Sequence, residues 1–220
     1  MKKSILITRT EDDEITRYCS KWIEYKTKPE AERKGFDVID LNKNKAVRNQ
    51  VESIMLSKKP PLVLFHGHGN DNIIAGYQHQ TLIHSEENAH ILGEKIIHSL
   101  TCNSASILGH KAVEEHNALA FIGYREPFIA LTDDYSASRP LADVIAKPFL
   151  ESAMKVGDLL VKGNTAGEAF KKSQDTYALW IAYYRANDQE KEASDILLYL
   201  MADKNAQILI GNPDASVSPD

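Results

Sequence analysis

Cysteine is scarce. Cys19 and Cys102 are the two in 220 residues, and no CxxC pattern occurs. That excludes a disulfide-stapled scaffold and leaves both thiols free, as in a reducing cytoplasm. Long apolar runs are also missing. None approaches the ~18 residues of a membrane span. The start "MKKSILITRTEDDE" fails as a signal peptide, because its apolar stretch Ile5–Ile7 is far short of a ~7–15-residue core. A soluble, cytoplasmic protein is expected. There is no basic cluster, and the formal net charge is −5, so neither nucleic acid nor an anionic membrane is an expected partner. No Gly/Ser- or Pro-rich linker and no internal repeat divides the chain. This reads as one domain over residues 1–215, with 216–220 as a frayed tail. With 43% apolar and 26% charged residues, the chain is expected to form a globule.

What is present alternates between two periods. Short β-branched or apolar runs at Ser4–Thr8, Phe36–Leu41, Leu62–Phe65, Ile96–Thr101 and Ala118–Tyr124 read as strands. Leu62–Phe65 is apolar on both faces, which predicts a central parallel strand. Asn72–Gln78 reads as a hairpin or short edge strand, and Ala206–Pro213 as a late edge strand. Between them, Ile15, Tyr18, Cys19, Trp22 and Ile23 keep helical spacing, capped by Asp12 or Asp13 and ended by Gly35. Helices are also predicted over 45–59, over 85–96 with Ser85 as cap, over 103–117, and as long patterns over 139–163 and 165–194. Thr165 and Glu168 form a capping-box signature. The stripe Tyr177, Trp180, Ile181 and Tyr184 reads as core packing. The pattern implies an α/β fold, a mostly parallel sheet with helices on both faces.

Two strand ends carry reactive residues. Leu62–Phe65 runs into His66-Gly67-His68-Gly69, and Ile96–Thr101 runs into Cys102. Ligands of open α/β sheets bind beyond the carboxyl ends of the strands. If these two strands are neighbours, ~5 Å apart, imidazole and thiol overhang one crevice. Asn103-Ser104-Ala105-Ser106 opens the next predicted helix, whose N-terminus would favour a Cys102 thiolate. A histidine there can take the thiol proton and return it to a leaving amine. The rival reading is a metal site, since paired histidines ligate zinc. His-Gly-His lacks the i, i+4 spacing of a helical pair, and no evident Cys or carboxylate set completes a tetrahedral shell. Cys19, in helical context, reads as a structural thiol. His79, His84, His90, His98, His110 and His116 read as surface or supporting residues.

These elements resemble the caspase-like cysteine peptidases, the clan of caspases, separases and gingipains, and most of all the CHAT domain. The strand plus Gly-His-Gly, the "Ser99-Leu100-Thr101-Cys102-Asn103-Ser104-Ala105" segment, the strand "AFIGYREPF", the capped helix in "LLVKGNTAGEAFKKS" and the ending "ILIGNPDA" each have a counterpart there. The likeness spans roughly Ser4 to Ala215. It implies a caspase-like three-layer sandwich acting as a cysteine endopeptidase. By the same resemblance His68, flanked by glycine on both sides, is the catalytic histidine and Cys102 the nucleophile. Gly69 and Cys102 would supply oxyanion N–H groups. Such relatives often work as a dyad, so no third member is assigned and no cofactor is implied.

Members of this clan often select a charged residue before the cut. "Leu131-Thr132-Asp133-Asp134" resembles the acidic pocket segment of separases, which favours Arg or Lys slightly, although Tyr135 and Ala137 replace the later acids. Arg9 and Arg125, near strand ends, could instead select an acidic residue. An exposed charge run is the competing explanation for Asp133 and Asp134. The expected partners are a protein substrate and an activating or regulatory protein. The alternatives are a latent or non-catalytic module, and a small-molecule esterase or amidase using the same dyad.

Overall fold

The structure, a computed structural model, describes residues 2–190 and 192–218. Its centre is a six-stranded sheet. β1 (Ser4–Arg9), β2 (Asp37–Asn42), β3 (Leu62–His66), β7 (Ile96–Leu100) and β8 (Ala120–Tyr124) run parallel, and β9 (Gln207–Gly211) closes the edge antiparallel, in the order β2-β1-β3-β7-β8-β9. The inserted β4 (His68–Asn70), β5 (Ile73–Ala75) and β6 (Thr81–His84) form a separate three-stranded antiparallel sheet. Strands near both ends of the chain share the large sheet, so residues 4–211 fold around one scaffold.

Side-chain alternation along β1, β3 and β7 builds two cores. Ile5, Ile7, Leu62, Leu64 and Ile96 face α1 (Glu14–Trp22), α5 (Lys147–Ala153), α6 (Lys155–Leu160) and the start of α7 (Ala166–Ala186). Leu6, Val63, Phe65 and Ile97 face α3 (Arg48–Ser57), α4 (Leu108–Glu114) and the small sheet. Both faces of the central strands are therefore covered, as their continuous apolar runs require. The architecture is α/β, helices on both sides of a mixed, mostly parallel sheet. Tyr177, Ile181 and Tyr184 are buried in a third cluster against α8 (Ala193–Ala206), with Trp180 packed at its margin. Among the described residues, no helix is long and apolar enough to cross a membrane.

Capping set two helix starts where the sequence marked them. Asp13 caps α1 and Thr165 caps α7, each in a reciprocal capping box. The first helix continues through a π turn at Ile23–Thr27 into α2 (Lys28–Arg33), and Gly35 ends it at φ +99°.

Five expectations are corrected. The helix over 85–96 is a single short turn, Ala89–Leu92, because Asn88 spends its side chain on His84 N and Leu82 O and because Glu94 turns left-handed at φ +61°. Ser85 bonds Asn72 rather than capping. The pattern over 139–163 breaks at Asp143, whose carboxylate holds the N–H groups of Ile145 and Ala146 ahead of α5. The long helix over 165–194 ends at Ala186, and α8, absent from the sequence reading, follows as an element of its own. Residues 216–218 are not frayed: Val217 is buried in the first core, while Pro219 and Asp220 lie outside the described residues.

Candidate active site

The strands deliver the two motifs to one place. β3 lies between β1 and β7, and the rows Arg9–His66 and His66–Leu100 are in register. Three chains therefore leave the sheet's carboxyl edge side by side, at Thr10, Gly67 and Thr101. Between them lies a cleft of about 230 Å³, lined by residues that include His68, Cys102, Asp13, Cys19, Leu100 and Ile129. His68 and Cys102 face the same cavity.

Two glycines make this approach possible. A Cβ on Gly67 would lie 2.6 Å from the Ala75 carbonyl, so only glycine lets the β4–β5 hairpin fold back over β3. A Cβ on Gly69 would lie 3.0 Å from both the Cys102 carbonyl oxygen and Thr101 Cβ, so the histidine strand is packed directly on the cysteine turn.

Cys102 is half-buried, with Sγ 3.9 Å from the Phe128 carbonyl oxygen. Burial pushes its thiol above the ordinary value; backbone contacts at Phe128 oppose this, and the Asp203 and Asp13 carboxylates add to it. That reverses the low-pKa expectation. The helix expected at Asn103 begins only at Leu108, because Asn103 is left-handed at φ +57° and Ser104 is tied to Ser99 in the strand. The N–H groups of Asn103, Ala105 and Ser106 are already bonded to Glu126, Tyr124 and Asn103 carbonyls. The helix that follows Cys102 in the chain, α4, therefore does not start at the sulfur. Cys19 is buried in the cleft wall, and burial pushes its thiol up to about 12.

His68 is partly exposed, but its Nε2 is shielded from solvent. Asp13 Oδ2 lies 3.3 Å from that atom, an ionic contact short of a well-aligned hydrogen bond. The ring of His79 stacks on His68 at 4.3 Å between centroids. His66 goes elsewhere: it is buried edge-on to His98, 5.6 Å between centroids. Among the described residues, no group of three His, Cys, Asp or Glu is arranged to hold a metal ion.

Of the candidate specificity residues, Arg9, Arg125 and Asp133 do not line the cleft. Arg9 is buried in an internal pair with Asp40 and bonds Ser20; burial raises the Asp40 carboxyl, but Arg9 and Lys28 outweigh it and hold it low. Arg9 is thus a structural cation, not a substrate contact. Arg125 is exposed and lines a separate hollow with Asp71, His110 and Glu126. Asp133 accepts from Ser136 and borders another hollow near Trp180. The Asp134 side chain lies outside the described residues.

Sequence reasoning missed Asp13 as a site residue, having read it only as a cap candidate. The signal existed: it follows β1, whose end falls on the same sheet edge. It also missed the Phe128–Ala130 wall and Asp203 behind it, which accepts from Ile129 N at 3.0 Å. Burial holds the Asp203 carboxyl well above its ordinary range. Nothing local in "MADKN" marks that role. No family model matches the chain, and no curated protein matches it.

Proposed function

We propose that the protein is a caspase-like cysteine endopeptidase with Cys102 as nucleophile and His68 as proton carrier. The observation that carries this reading is the opening of both residues onto one cleft at the carboxyl edge of a parallel sheet, from adjacent strands. Sγ bonds to the peptide carbonyl carbon as the thiol proton passes to His68 and the carbonyl electron pair moves onto oxygen. The N–H groups of Gly69 and Cys102 hold that oxyanion; losing one such donor typically costs ~10²–10³ in rate. Collapse breaks the C–N bond, and His68 gives its proton to the leaving amine. Water then adds to the thioester, the C–S bond breaks, and a proton returns to sulfur.

The substrate is a protein cut after a charged residue, with a basic one favoured. Asp13 on the cleft supports that sign, and Arg9 is committed elsewhere. The test is a proteome-derived peptide cleavage screen with the Cys102→Ala control and labelling by an acyloxymethyl ketone. Cleavage that persists in the variant refutes the assignment.

One observation favours latency as a second reading. The thiol is held neutral by burial and directed at the Phe128 carbonyl. A partner that shifts the Phe128–Ala130 segment would free it. In that case cleavage appears only when the partner is added.

A further inference from the structure

We propose that Asp13 is the positioning residue of the site, fixing the tautomer and orientation of His68 and making the pair a triad. The inference rests on the cysteine-peptidase reading and deepens it.

Asp13 is itself held rigidly. As N-cap of α1 its Oδ1 accepts from Thr16 N at 2.8 Å and Thr16 Oγ1 at 2.9 Å, while its own N–H donates to Thr16 Oγ1 at 3.0 Å. Its second oxygen is left over, and Oδ2 is the one beside His68 Nε2 at 3.3 Å. Nε2 is cut off from solvent, so a proton there has no water to bond and turns to this carboxylate. Loose contacts of this kind in a free enzyme tighten when substrate binds.

A second contact also constrains the ring. His79 stacks on it from a loop where Gln78 and His79 are both left-handed, at φ +51° and +59°. Gln78 N donates to Asp12 Oδ1 at 3.3 Å, tying that loop to the Asp13 segment. Strain of this kind persists only where surrounding contacts impose it. Among the described residues, Asp13 and His79 flank the ring, Cys102 lines the same cleft, and Asp12 is bonded to the His79 loop. Glu14, the next acid, is engaged by Arg17 and Thr132.

With the proton held on Nε2, the lone pair sits on Nδ1, and that is the atom that takes the Cys102 proton. As the imidazolium forms, the Asp13 carboxylate lies beside the new charge. Asp13 touches no reacting atom and acts through His68.

Asp13→Asn tests this without losing the cap, since Asn caps as well as Asp. Its amide places a donor opposite Nε2 and drives the ring to the Nδ1–H tautomer. The expected result is a fall in kcat of about tenfold or more with KM unchanged. This is smaller than the ~10⁴ of a buried triad carboxylate, because Asp13 is 48% exposed. Asp13→Ser, which keeps the cap and loses the reach, serves if the first variant folds poorly. The ¹⁵N shifts of His68 provide a readout that needs no activity: Nε2–H in the native protein, Nδ1–H in Asp13→Asn. A native Nδ1–H tautomer, or kcat and tautomer both unchanged in the variant, overturns the proposal. Turnover surviving Cys102→Ala would instead sink the peptidase reading and leave the tautomer to judge Asp13 alone.

Discussion

Acid should unfold this protein through two histidines far from its surface. His66 ends β3, His98 lies mid-β7, and both are fully enclosed, edge to face. Among the described residues neither ring makes a well-aligned hydrogen bond, and backbone contacts at Thr8 and Leu64 only partly offset the burial of His66. α6 presses on His98 so closely that a Cβ on Gly157 would sit 3.3 Å from its Nδ1. Burial lowers His66 from 6.5 to about 4 and lowers His98 in the same direction. The unfolded chain therefore binds protons that the native state refuses. Stability from these groups is full above pH 6.5 and is lost as pH falls toward 4. For His66 alone the shift is worth about 3 kcal/mol, a large part of the ~5–15 kcal/mol of a typical domain. Asp158 and Asp203, whose carboxyls burial raises, work with the opposite sign. The measured quantity is therefore a difference. Urea unfolding followed by tryptophan fluorescence between pH 7 and pH 4.5 should give a free energy that falls with acid. The slope should flatten when His66→Leu is combined with His98→Leu. An unchanged slope in the double variant refutes the reasoning.

Other outcomes follow from the same geometry. Gly69→Ala pushes a methyl onto the Ile73 and Cys102 carbonyls, 2.9 and 3.0 Å away. It should cost about 1–3 kcal/mol by chemical denaturation and slow alkylation of Cys102. Arg9→Ala leaves the part-buried Asp40 carboxylate with Lys28 alone and should destabilise by about 1–3 kcal/mol, visible as a lowered Tm, with no change in preferred cleavage residue. Thr165→Ala removes the α7 cap and should cost about 1 kcal/mol by denaturant titration.

Much of the fold is legible because its signals are local. A buried strand must be apolar on both faces, so Leu62–Phe65 announced its central place before any coordinates. Asp13 and Thr165 mark helix starts because orphan N–H groups need a short polar side chain nearby. The failures have equally physical causes. "SEENAHILGEKI" has helical spacing, yet Asn88 offers the backbone better partners across the hairpin. The residues after Cys102 read as a helix start, yet Asn103 and Ser104 are captured by a turn against β7.

The sequence by itself determined which residues end the strands, and so which could meet: His68 after one apolar run, Cys102 after another. That information is carried by periodicity and by neighbours a few positions apart. Only the tertiary structure decided who stands beside them. Asp13 reaches His68 because β1 is paired to β3, and Arg9 is withdrawn because Asp40 waits in β2. Burial, not chain position, sets the Cys102 thiol high. Charge and solvation act through space over a few ångströms, between residues that no local pattern connects.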